Sequence, residues 1–377
     1  MEERKGILNV GFIGCGNFGG QIANAAVEEG FPSIAVNASK RDFATLSEDV
    51  VPFLVGDGKG TGKSREVAKE FFLNHINIVK DEVITKFIDN NDVIIIGGSA
   101  GGGYGSGSVP SLTQVLMEVY PDKCFRVVTT FPSIAETYEA QNHAEQFMSD
   151  ILDLNIPYIV YDNDNFKNVE ATEMNKLIIR KVVEDMKILR GDYILETTTG
   201  GIDERDLLTL NSTPGRTVCA LLDNFEESMI ENDSIVTTLK QAMVKSANAA
   251  IVDDKVISAS GIMYNLTSDL KKYGANIATD LQDTFGAHIG DFRNEVVDEE
   301  ADAFIACVIS GLTAPTTRID KIITRRMSIE KEINDRKAAS TKLNTVETGK
   351  LSLGAKSFGS APKANVDDIL KTFTANK

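Results

Sequence analysis

Cysteine and histidine are scarce in this sequence, and their scarcity excludes several kinds of site. The 377 residues include four cysteines and three histidines, none of them in a Cys-x-x-Cys, His-x3-His or His-Glu-x-x-His arrangement. Such spacings are typical of zinc sites, redox motifs and disulfide frameworks. A metal site built on protein ligands, or a hydrolase built on Cys/His or Ser/His, is therefore not expected. We expect buried, reduced thiols at Cys15, Cys124, Cys219 and Cys307.

Long apolar runs are also absent, which bears on location. No run approaches the roughly 20 apolar residues that a membrane-spanning helix needs. The first five residues, Met-Glu-Glu-Arg-Lys, do not resemble a signal peptide. With 42% hydrophobic and 25% charged residues, the composition is typical of a water-soluble globular protein. A cytoplasmic location is the expectation.

Basic residues are in short supply over most of the chain. The net charge is −16, and residues 1–317 contain 26 Lys and Arg against 48 Asp and Glu, whereas residues 318–377 contain 13 against 7. An acidic body repels a polyphosphate backbone, so we expect little direct nucleic-acid binding by it. The basic tail is either a solvated segment or a docking segment for an acidic partner.

The order of apolar and helical stretches predicts an α/β fold. Hydrophobic cores stop growing at roughly 250 to 300 residues, so two domains and a tail are expected. The first third alternates strands and helices as in a parallel-sheet, Rossmann-like domain, whose ligand-binding loops follow the strand carboxyl ends. The predicted strands are Ile7–Ile13, Ser33–Val36, Val93–Ile96, Cys124–Thr129 and Pro157–Tyr161, and the first predicted helix is Gly19–Gly30.

A long central helix and a second, smaller α/β domain are predicted to follow. Apolar residues recur every three or four positions over 169–189, which indicates a helix with one buried stripe. Strands are predicted at Val256–Tyr264 and Phe304–Ile309, and a C-terminal helix from Thr316 to about Ala339. The predicted domains are 1–190, 191–315 and 316–377. Residues 340–365 have the composition of a flexible linker, and a short amphipathic end follows at Val366, Ile369, Leu370 and Phe373.

A glycine-rich loop between the first strand and the first helix suits a phosphate group. It has the G-x-G-x-x-G pattern from Gly14 to Gly19, in which glycines admit the phosphate and the helix N-terminus supplies N–H donors. Alone, this loop favours an NAD(P)-dependent enzyme. The second strand ends in Asn37-Ala38-Ser39-Lys40-Arg41 instead of the usual acid, and this segment could hold a 2′-phosphate. An NADP-dependent oxidoreductase therefore stays open at this point.

Two further glycine-rich segments bear on that choice. Gly60 to Ser64 resembles the end of a P-loop, but Asp57 stands where that motif needs its first glycine. Seven glycines lie among the eleven residues from Gly97 to Gly107, before a helix expected to begin near Val109. Two glycine nests at the ends of two strands fit the several phosphates of a nucleoside triphosphate better than a dinucleotide.

These segments together resemble the tubulin/FtsZ superfamily. Gly101–Gly107 resembles its GGGTGSG signature, with Tyr104 in place of threonine. The other nucleotide loops of the family have counterparts in the same order, at Gly14–Asn17, Asn37–Ser39, Gly60–Lys63, Pro132–Glu136 and Asn163–Asp164. In the family the third of these senses the γ-phosphate, and the loop matched by Pro132–Glu136 contacts the ribose. The resemblance covers residues 7 to about 313 and implies that GTP or GDP binds together with Mg²⁺.

The resemblance assigns roles to particular residues. Asn175 matches the guanine-reading Asn of the central helix, but Lys176 replaces an acid and Ala171 an aromatic residue of that region. Either Asn17, Asn163 and Asn175 recognise the base, or Phe166 stacks on it. Magnesium usually binds through phosphate oxygens and waters, so no protein ligand is expected for it. The expected nucleotide-binding residues are Gly14, Cys15, Gly16, Asn17, Asn37, Gly60, Thr61, Gly62, Lys63, Gly101, Gly102, Gly103, Tyr104, Gly105, Ser106, Gly107, Glu136, Asn163 and Asn175.

A pair of carboxylates after the central helix is the catalytic candidate. The segment from Gly201 to Asp206 resembles the family's Asn-x-Asp-x-x-Asp loop, with glycine in place of the asparagine. Asp203 and Asp206 are spaced to orient a water molecule, although Asp at a helix start is also a common cap. In the superfamily this loop enters the nucleotide site of a neighbouring subunit. The resemblance therefore implies GTP hydrolysis that is coupled to head-to-tail polymerisation.

The C-terminal residues resemble the TubZ branch of the superfamily, whose filaments segregate plasmid or phage DNA. FtsZ typically ends in a peptide that binds division partners, and no such peptide is found here. The implied partner is a DNA-bound adaptor of the TubR type, contacted through the tail. An FtsZ-like cell-division scaffold and an NADP-dependent oxidoreductase are the alternatives. On the C-terminal helix, a solvated face is predicted at Arg325, Arg326, Arg336 and Lys337.

Overall fold

Strands and helices alternate along the first 190 residues of the protein. The computed structural model describes residues 6–195, 201–224, 226–249, 257–267, 269–285, 288–296 and 302–343. The strands are β1 Val10–Cys15, β2 Ser33–Asn37, β3 Val51–Leu54, β4 Val93–Ser99, β5 Cys124–Phe131, β6 Pro157–Asp162, β7 Gly215–Leu222, β8 Ile257–Asn265, β9 His288–Val296 and β10 Phe304–Leu312. The helices are α1 Gly16–Glu28, α2 Arg65–Asn74, α3 Glu82–Asp89, α4 Gly103–Val119, α5 Tyr138–Leu154, α6 Ala171–Arg190, α7 Glu204–Ser212, α8 Ile235–Lys245, α9 Lys271–Gly274, α10 Ile277–Phe285 and α11 Thr316–Leu343.

These strands form one sheet in the order β3-β2-β1-β4-β5-β6-β7-β10-β8-β9. Neighbouring strands are parallel from β3 to β7, β10 is antiparallel to both β7 and β8, and β9 is parallel to β8. A mostly parallel sheet covered by helices confirms the predicted α/β fold class. The order of the first six strands also places the loops after β1 and β4 side by side.

Both faces of the sheet are buried, as the apolar runs predict. Ile94 and Ile96 of β4 point into the core that α2, α4 and α5 cover, while Val93 and Ile95 point to the side of α1 and α6. A parallel strand that is covered on both faces reads as a continuous apolar run, and this explains the Val-Ile-Ile-Ile sequence. A third cluster fills the second half of the sheet under α8 and α10.

The long central helix is α6, and its bounds lie close to the predicted ones. It begins after Glu170, whose side chain accepts hydrogen bonds from the backbone of Thr172 and Glu173, and ends at Gly191 in the left-handed conformation. The predicted apolar stripe is the buried face of this helix, formed by Ile178, Val182, Met186 and Leu189.

The helix expected to begin near Val109 begins instead at Gly103, and this expectation was wrong. A Cβ atom on Gly103 would lie 2.4 Å from the backbone of Lys63, and one on Gly107 would lie 2.5 Å from the carbonyl of Arg65. Only glycine lets α4 pack this closely against residues 63–65. The packing outweighs the low helix propensity of glycine that pointed to a later start.

Other boundaries also move. The first strand begins at Val10 and not at Ile7, because the amides of Ile7 and Leu8 donate to the carbonyl of Arg190 at 3.0 and 3.1 Å. Helix α11 continues to Leu343, past the predicted end near Ala339. Strand β8 is described from Ile257. Residue 256, the linker beyond residue 343 and the four apolar residues of the amphipathic end lie outside the described residues.

The cysteines and the helices bear on two expectations from composition. The four thiols are free, and three are buried, but Cys124 is half-buried because it begins β5 at the amino end of the strand. Burial raises the pKa of Cys15 to about 12 and that of Cys124 to about 11, so both are protonated at neutral pH.

Within the ranges described, no helix is both long and apolar enough to cross a membrane.

Candidate functional site

The nucleotide-binding segments expected from the sequence converge at one edge of the sheet. Gly16 follows β1, Asn37 ends β2, Gly101 follows β4, Pro132 follows β5 and Asn163 follows β6. These five strands are parallel, so their carboxyl ends lie at the same edge. The structure thereby brings together segments that are up to 147 residues apart in sequence, from Gly16 to Asn163.

The first and third glycine loops are in contact. A Cβ atom on Gly105 would lie 3.2 Å from the carbonyl of Cys15 and 3.1 Å from the amide of Ser99. Gly16 has a φ of +75°, a backbone conformation that side chains disfavour, and its own Cβ would lie 3.4 Å from the amide of Gly105. Glycine is therefore required where the start of α4 meets the end of β1. The two glycine nests form one continuous surface.

Two helices at this edge have N-termini that lack a side-chain cap. Among α1 to α8, all of which are described, six begin with a side chain that accepts a hydrogen bond from the first turn. Helices α1 and α4 have neither such a cap nor an acidic residue in the first turn. An uncapped N-terminus offers backbone N–H groups and a positive dipole end to an anion. Both such ends lie in the glycine loops, so this edge fits phosphate groups.

The side chains of the first turn of α4 are turned inwards. Tyr104 is buried, and burial raises the pKa of its phenol well above the usual value. Ser106 is fully buried and its hydroxyl donates to the carbonyls of Gly102 and Gly103. The expected contacts of Tyr104 and Ser106 with a nucleotide would therefore be made through the backbone.

The second and third loops are joined to each other. Asn37 is buried, its Nδ2 donates to Asp42 at 2.9 Å and its Oδ1 accepts from the amide of Ser39 at 3.1 Å. The amide of Gly60 donates to the carbonyl of Ala38 at 2.8 Å. In the third loop Thr61 is half-buried and Gly62 and Lys63 are exposed. Asn37 thus shapes the turn, while Lys63 extends from a backbone that touches α4.

The loops after β5 and β6 are tied together by carboxylates. Oε1 of Glu136 accepts from the amide of Ser133 at 2.7 Å and from Nδ2 of Asn163 at 3.3 Å. Oδ1 of Asp164 accepts from the hydroxyl of Ser133 at 2.8 Å and from the amide of Ile134 at 3.1 Å. Glu136 and Asn163, expected at the ribose and the base, are therefore neighbours.

The residues expected near the base differ from one another in exposure and in contacts. Asn17 is exposed at the start of α1, and Asn175 is half-buried in the second turn of α6. Lys176 is exposed and lies 3.8 Å from Glu173, an ion pair of little energetic weight at the surface. Phe166 is half-buried and packs against the core on the α6 side. The choice between amide recognition and stacking by Phe166 stays a prediction.

The catalytic candidates form a reciprocal cap. Oδ1 of Asp203 accepts from the amide of Asp206 at 2.9 Å, and Oδ2 of Asp206 accepts from the amide of Asp203 at 3.2 Å. This capping box starts α7 and fixes both carboxyl groups. One oxygen of each carboxylate is used, and the other has no hydrogen-bond partner within the described ranges. Asp203 itself is exposed.

Asp203 and Asp206 lie far from the nucleotide loops of their own chain. Helix α6 runs from the loop after β6 to the amino edge of the sheet, where the carbonyl of Arg190 accepts from the residues that precede β1. Helix α7 packs at that same end, since Nδ2 of Asn211 donates to the carbonyl of Leu189 at 3.0 Å. The 20 residues of α6 correspond to roughly 30 Å. The two sets of residues occupy opposite ends of the molecule.

Several residues that shape the site were missed in the sequence, or, as with Asp164, were matched to a family loop without a role. Gln141, Asp164, Arg318 and Arg325 all hold the loop after β5. The predicted solvated face of α11 was wrong for Arg325 and Arg326, which are half-buried, although Arg336 and Lys337 are exposed. The spacing of charges on a helix does not show which helix packs against it, so no local signal identified these contacts.

Comparison with known proteins finds a family match over the first part of the chain. Residues 9–171 match the Tubulin/FtsZ family, GTPase domain. "Cell division protein FtsZ" of Haloferax mediterranei is 26% identical over 263 residues, which cover 65% of this chain and 66% of that protein. "Tubulin-like protein TubZ" of Clostridium botulinum C phage is 25% identical over 174 residues, which cover 44% of this chain and 47% of that protein. Each match spans less than two thirds of the relative.

Solved structures show the same fold over most of the chain. CetZ2 from Haloferax volcanii, a GTPγS-bound protofilament, has a TM-score of 0.68 at 19% identity and covers 88% of this chain and 100% of its own. TubZ from Bacillus thuringiensis serovar israelensis, in GDP-form protofilaments, has a TM-score of 0.70 at 17% identity, with 91% and 94% covered. The family match supports GTPase activity in general and favours it over a dinucleotide-dependent oxidoreductase. Residues 9–171 thus match the GTPase domain of the Tubulin/FtsZ family, and the chain shares its fold with TubZ and CetZ.

Proposed function

We propose that the protein is a GTP-dependent polymerising GTPase that forms head-to-tail filaments and segregates plasmid or phage DNA in the cytoplasm. The observation that carries this proposal is the separation of two half-sites. Uncapped helix ends that suit phosphates lie at the carboxyl edge of the sheet, and the paired carboxylates lie at the other end of α6. Only a second copy of the chain can bring the two halves together.

The glycine nests and the surrounding loops would hold GTP or GDP. Backbone N–H groups of Gly14–Asn17 and Gly101–Gly107 suit the phosphates, Glu136 suits the ribose, and Asn163 and Asn175 suit the base. A Mg²⁺ ion bound through phosphate oxygens and waters would neutralise part of the phosphate charge. Such a site needs no dedicated cage of protein ligands.

Asp203 and Asp206 would supply the remaining groups from the neighbouring subunit. Phosphoryl transfer to water depends on positioning and on charge stabilisation more than on covalent chemistry. The capping box fixes the direction of both carboxylates, and the free oxygen of each can accept a proton of the attacking water. Hydrolysis would then follow polymerisation. Residues 1–190 would act as the GTP-binding domain, residues 191–315 as the activating domain, and 316–377 as the helix and tail.

A cell-division scaffold of the FtsZ type is the second candidate. The FtsZ of Haloferax mediterranei matches a longer segment of this chain than the TubZ of the Clostridium phage does, 263 residues against 174. The two candidates share the filament and the hydrolysis step and differ in the partner. Capture by an adaptor bound to centromere-like DNA repeats would favour the DNA-segregation function.

Nucleotide-dependent light scattering tests the shared part of the proposal. With Mg²⁺ and GTP, scattering should rise above a critical protein concentration, whereas ATP and GDP should leave it flat. Filaments in electron micrographs of the GTP sample would show that the signal is ordered assembly. Equal scattering with GTP and ATP, or none with either, would contradict the proposal.

A further inference from the structure

The loop Pro132–Glu136 has its backbone held from outside by side chains. The carbonyl of Pro132 accepts a hydrogen bond from Nη2 of Arg318 at 2.6 Å. The carbonyl of Ser133 accepts from Nε2 of Gln141 at 2.6 Å, and that of Ile134 accepts from Nε of Arg325 at 3.2 Å. Three successive carbonyls are therefore held by residues of α5 and α11. A loop outside the sheet has no strand ladder to fix it, so these donors hold it in place together with the carboxylates of Glu136 and Asp164.

The two arginines belong to one face of the C-terminal helix. Arg318 and Arg325 are seven residues apart, which is about two helical turns. Between them Ile322 is buried in the core on the α5 side. Arg318 is itself buried and also pairs with Asp162 at 2.7 Å, at the end of β6. The next residue, Asn163, contacts Glu136, so α11 is joined to both loops beside the expected ribose position.

Arg326, the next residue along the helix, has different partners. It pairs with Glu145 of α5 and with Glu330 of α11. It thus anchors the helix without contacting the loop. Arg325 and Arg326 carry the same charge and are both half-buried, so they form a matched pair for substitution.

We propose that Arg318 and Arg325 are positioning residues through which α11 sets the loop that contacts the ribose of a bound guanine nucleotide. Their role depends on the function proposed above, because Glu136 is the residue expected to contact the ribose. Helix α11 follows β10 almost directly. These arginines therefore join the loop to the second half of the sheet.

Arg325→Met tests this role, with Arg326→Met as the control and Arg325→Lys as the conservative variant. Each full-length protein is titrated with GDP and with 2′,3′-dideoxy-GDP below the assembly concentration, and its melting temperature is measured without nucleotide. Loss of one hydrogen bond should weaken GDP binding by Arg325→Met about three- to tenfold. The preference for GDP over the dideoxy nucleotide should shrink towards one, because a displaced Glu136 no longer reads the hydroxyls.

The variants separate positioning from general damage. Arg326→Met should keep the wild-type preference for ribose hydroxyls even if its melting temperature falls as far as that of Arg325→Met. Arg325→Lys should recover part of the preference, since an ammonium group can donate to the same carbonyl. An unchanged preference in Arg325→Met, in a protein whose wild type binds GDP, would overturn the role of the arginine. Failure of the wild type to bind GDP would overturn the proposed function instead.

Discussion

At the scale of single residues, Asp203 and Asp206 form a helix cap and are also the residues proposed to act in GTP hydrolysis. Each carboxylate accepts a hydrogen bond from a backbone amide at the start of α7, and the second oxygen of each has no hydrogen-bond partner among the described residues. A cap alone contributes about 1 kcal/mol to stability, and asparagine replaces aspartate there with little loss. Catalysis needs the negative charge, which asparagine lacks. The two tasks can therefore be distinguished by substitution.

Asp203→Asn should keep the cap and lose the reaction. We expect GTP binding and assembly close to wild type, a fall in GTP turnover of about 10²- to 10⁴-fold, and filaments that no longer disassemble. Turnover is measured by phosphate release at steady state, and capping by the free energy of unfolding in urea. Asp203→Ala should lose turnover equally and lose about 1 kcal/mol of stability in addition.

Glu204 provides the control for this prediction. It lies in the same first turn of α7 and is exposed, but it does not belong to the capping box. Glu204→Gln should therefore hydrolyse GTP at the wild-type rate. Full turnover by Asp203→Asn would show that this carboxylate is only a helix cap.

At the scale of elements, the sequence predicted those helices and strands that are determined by their own residue pattern. The apolar stripe of α6 and the continuous apolar run of β4 located both elements within a few residues. The start of α4 and the contacts of Arg325 could not be predicted in this way. Both depend on a second element, residues 63–65 in one case and the loop after β5 in the other. The convergence of the glycine loops followed from parallel strand order, whereas the inward turn of Tyr104 required the packing itself.

Helix α6 also has charged side chains in the core. The pattern of apolar residues in the sequence does not predict them. Asp185 is fully buried, 2.7 Å from Nζ of Lys181, and accepts a hydrogen bond from Tyr161 at 2.6 Å. Burial outweighs the attraction of Lys181 and raises the pKa of Asp185 from 3.8 to about 6. Lys181 stays charged at any pH of interest, since its pKa is raised. Other groups facing Asp185 include Glu184, Arg126 and Cys219.

The free energy of unfolding should therefore depend on pH through Asp185. Its pKa is higher in the folded state, so the folded state binds the proton more tightly and gains stability as pH falls from about 6 towards 4. The free energy of unfolding of the wild type minus that of Asp185→Asn should rise by on the order of 1–3 kcal/mol as the pH falls through this window. Urea unfolding of both proteins at several pH values, without nucleotide, measures the difference. If this difference in the free energy of unfolding stayed constant or fell on acidification, it would contradict a raised pKa of the buried Asp185 carboxyl.

At the scale of the whole molecule, one sheet links the two candidate half-sites. The candidate nucleotide loops lie at the carboxyl edge, the paired carboxylates lie at the amino edge, and α6 spans the distance between them. The sequence placed both sets of residues by resemblance but could not show their separation, because this depends on the length and direction of α6. The two parts of the chain also differ in charge, because the body is acidic and the C-terminal segment is basic.

The charge difference between body and tail leads to a prediction about residues 344–377, which lie outside the described residues. Helix α11 extends to Leu343 and is held to the body by Arg318, Arg325 and Arg326. A truncation after Leu343 leaves these contacts intact. The truncated protein should therefore assemble with GTP at the wild-type critical concentration, as measured by light scattering.

Loss of residues 344–377 should instead abolish capture of filaments by a TubR-type adaptor bound to its DNA repeats. Lys350, Lys356 and Lys363 give part of this segment a positive charge, which is attracted to DNA phosphates and weakened by salt. Replacing these three lysines by glutamine in the full-length chain should reduce capture and flatten its salt dependence while leaving assembly unchanged. Both effects are measured by co-sedimentation of filaments with labelled adaptor and DNA. The salt concentration is varied from about 50 to about 300 mM, which brackets the physiological value. Capture that survives truncation would place the adaptor contact on the body, and loss of assembly would show that the tail belongs to the filament.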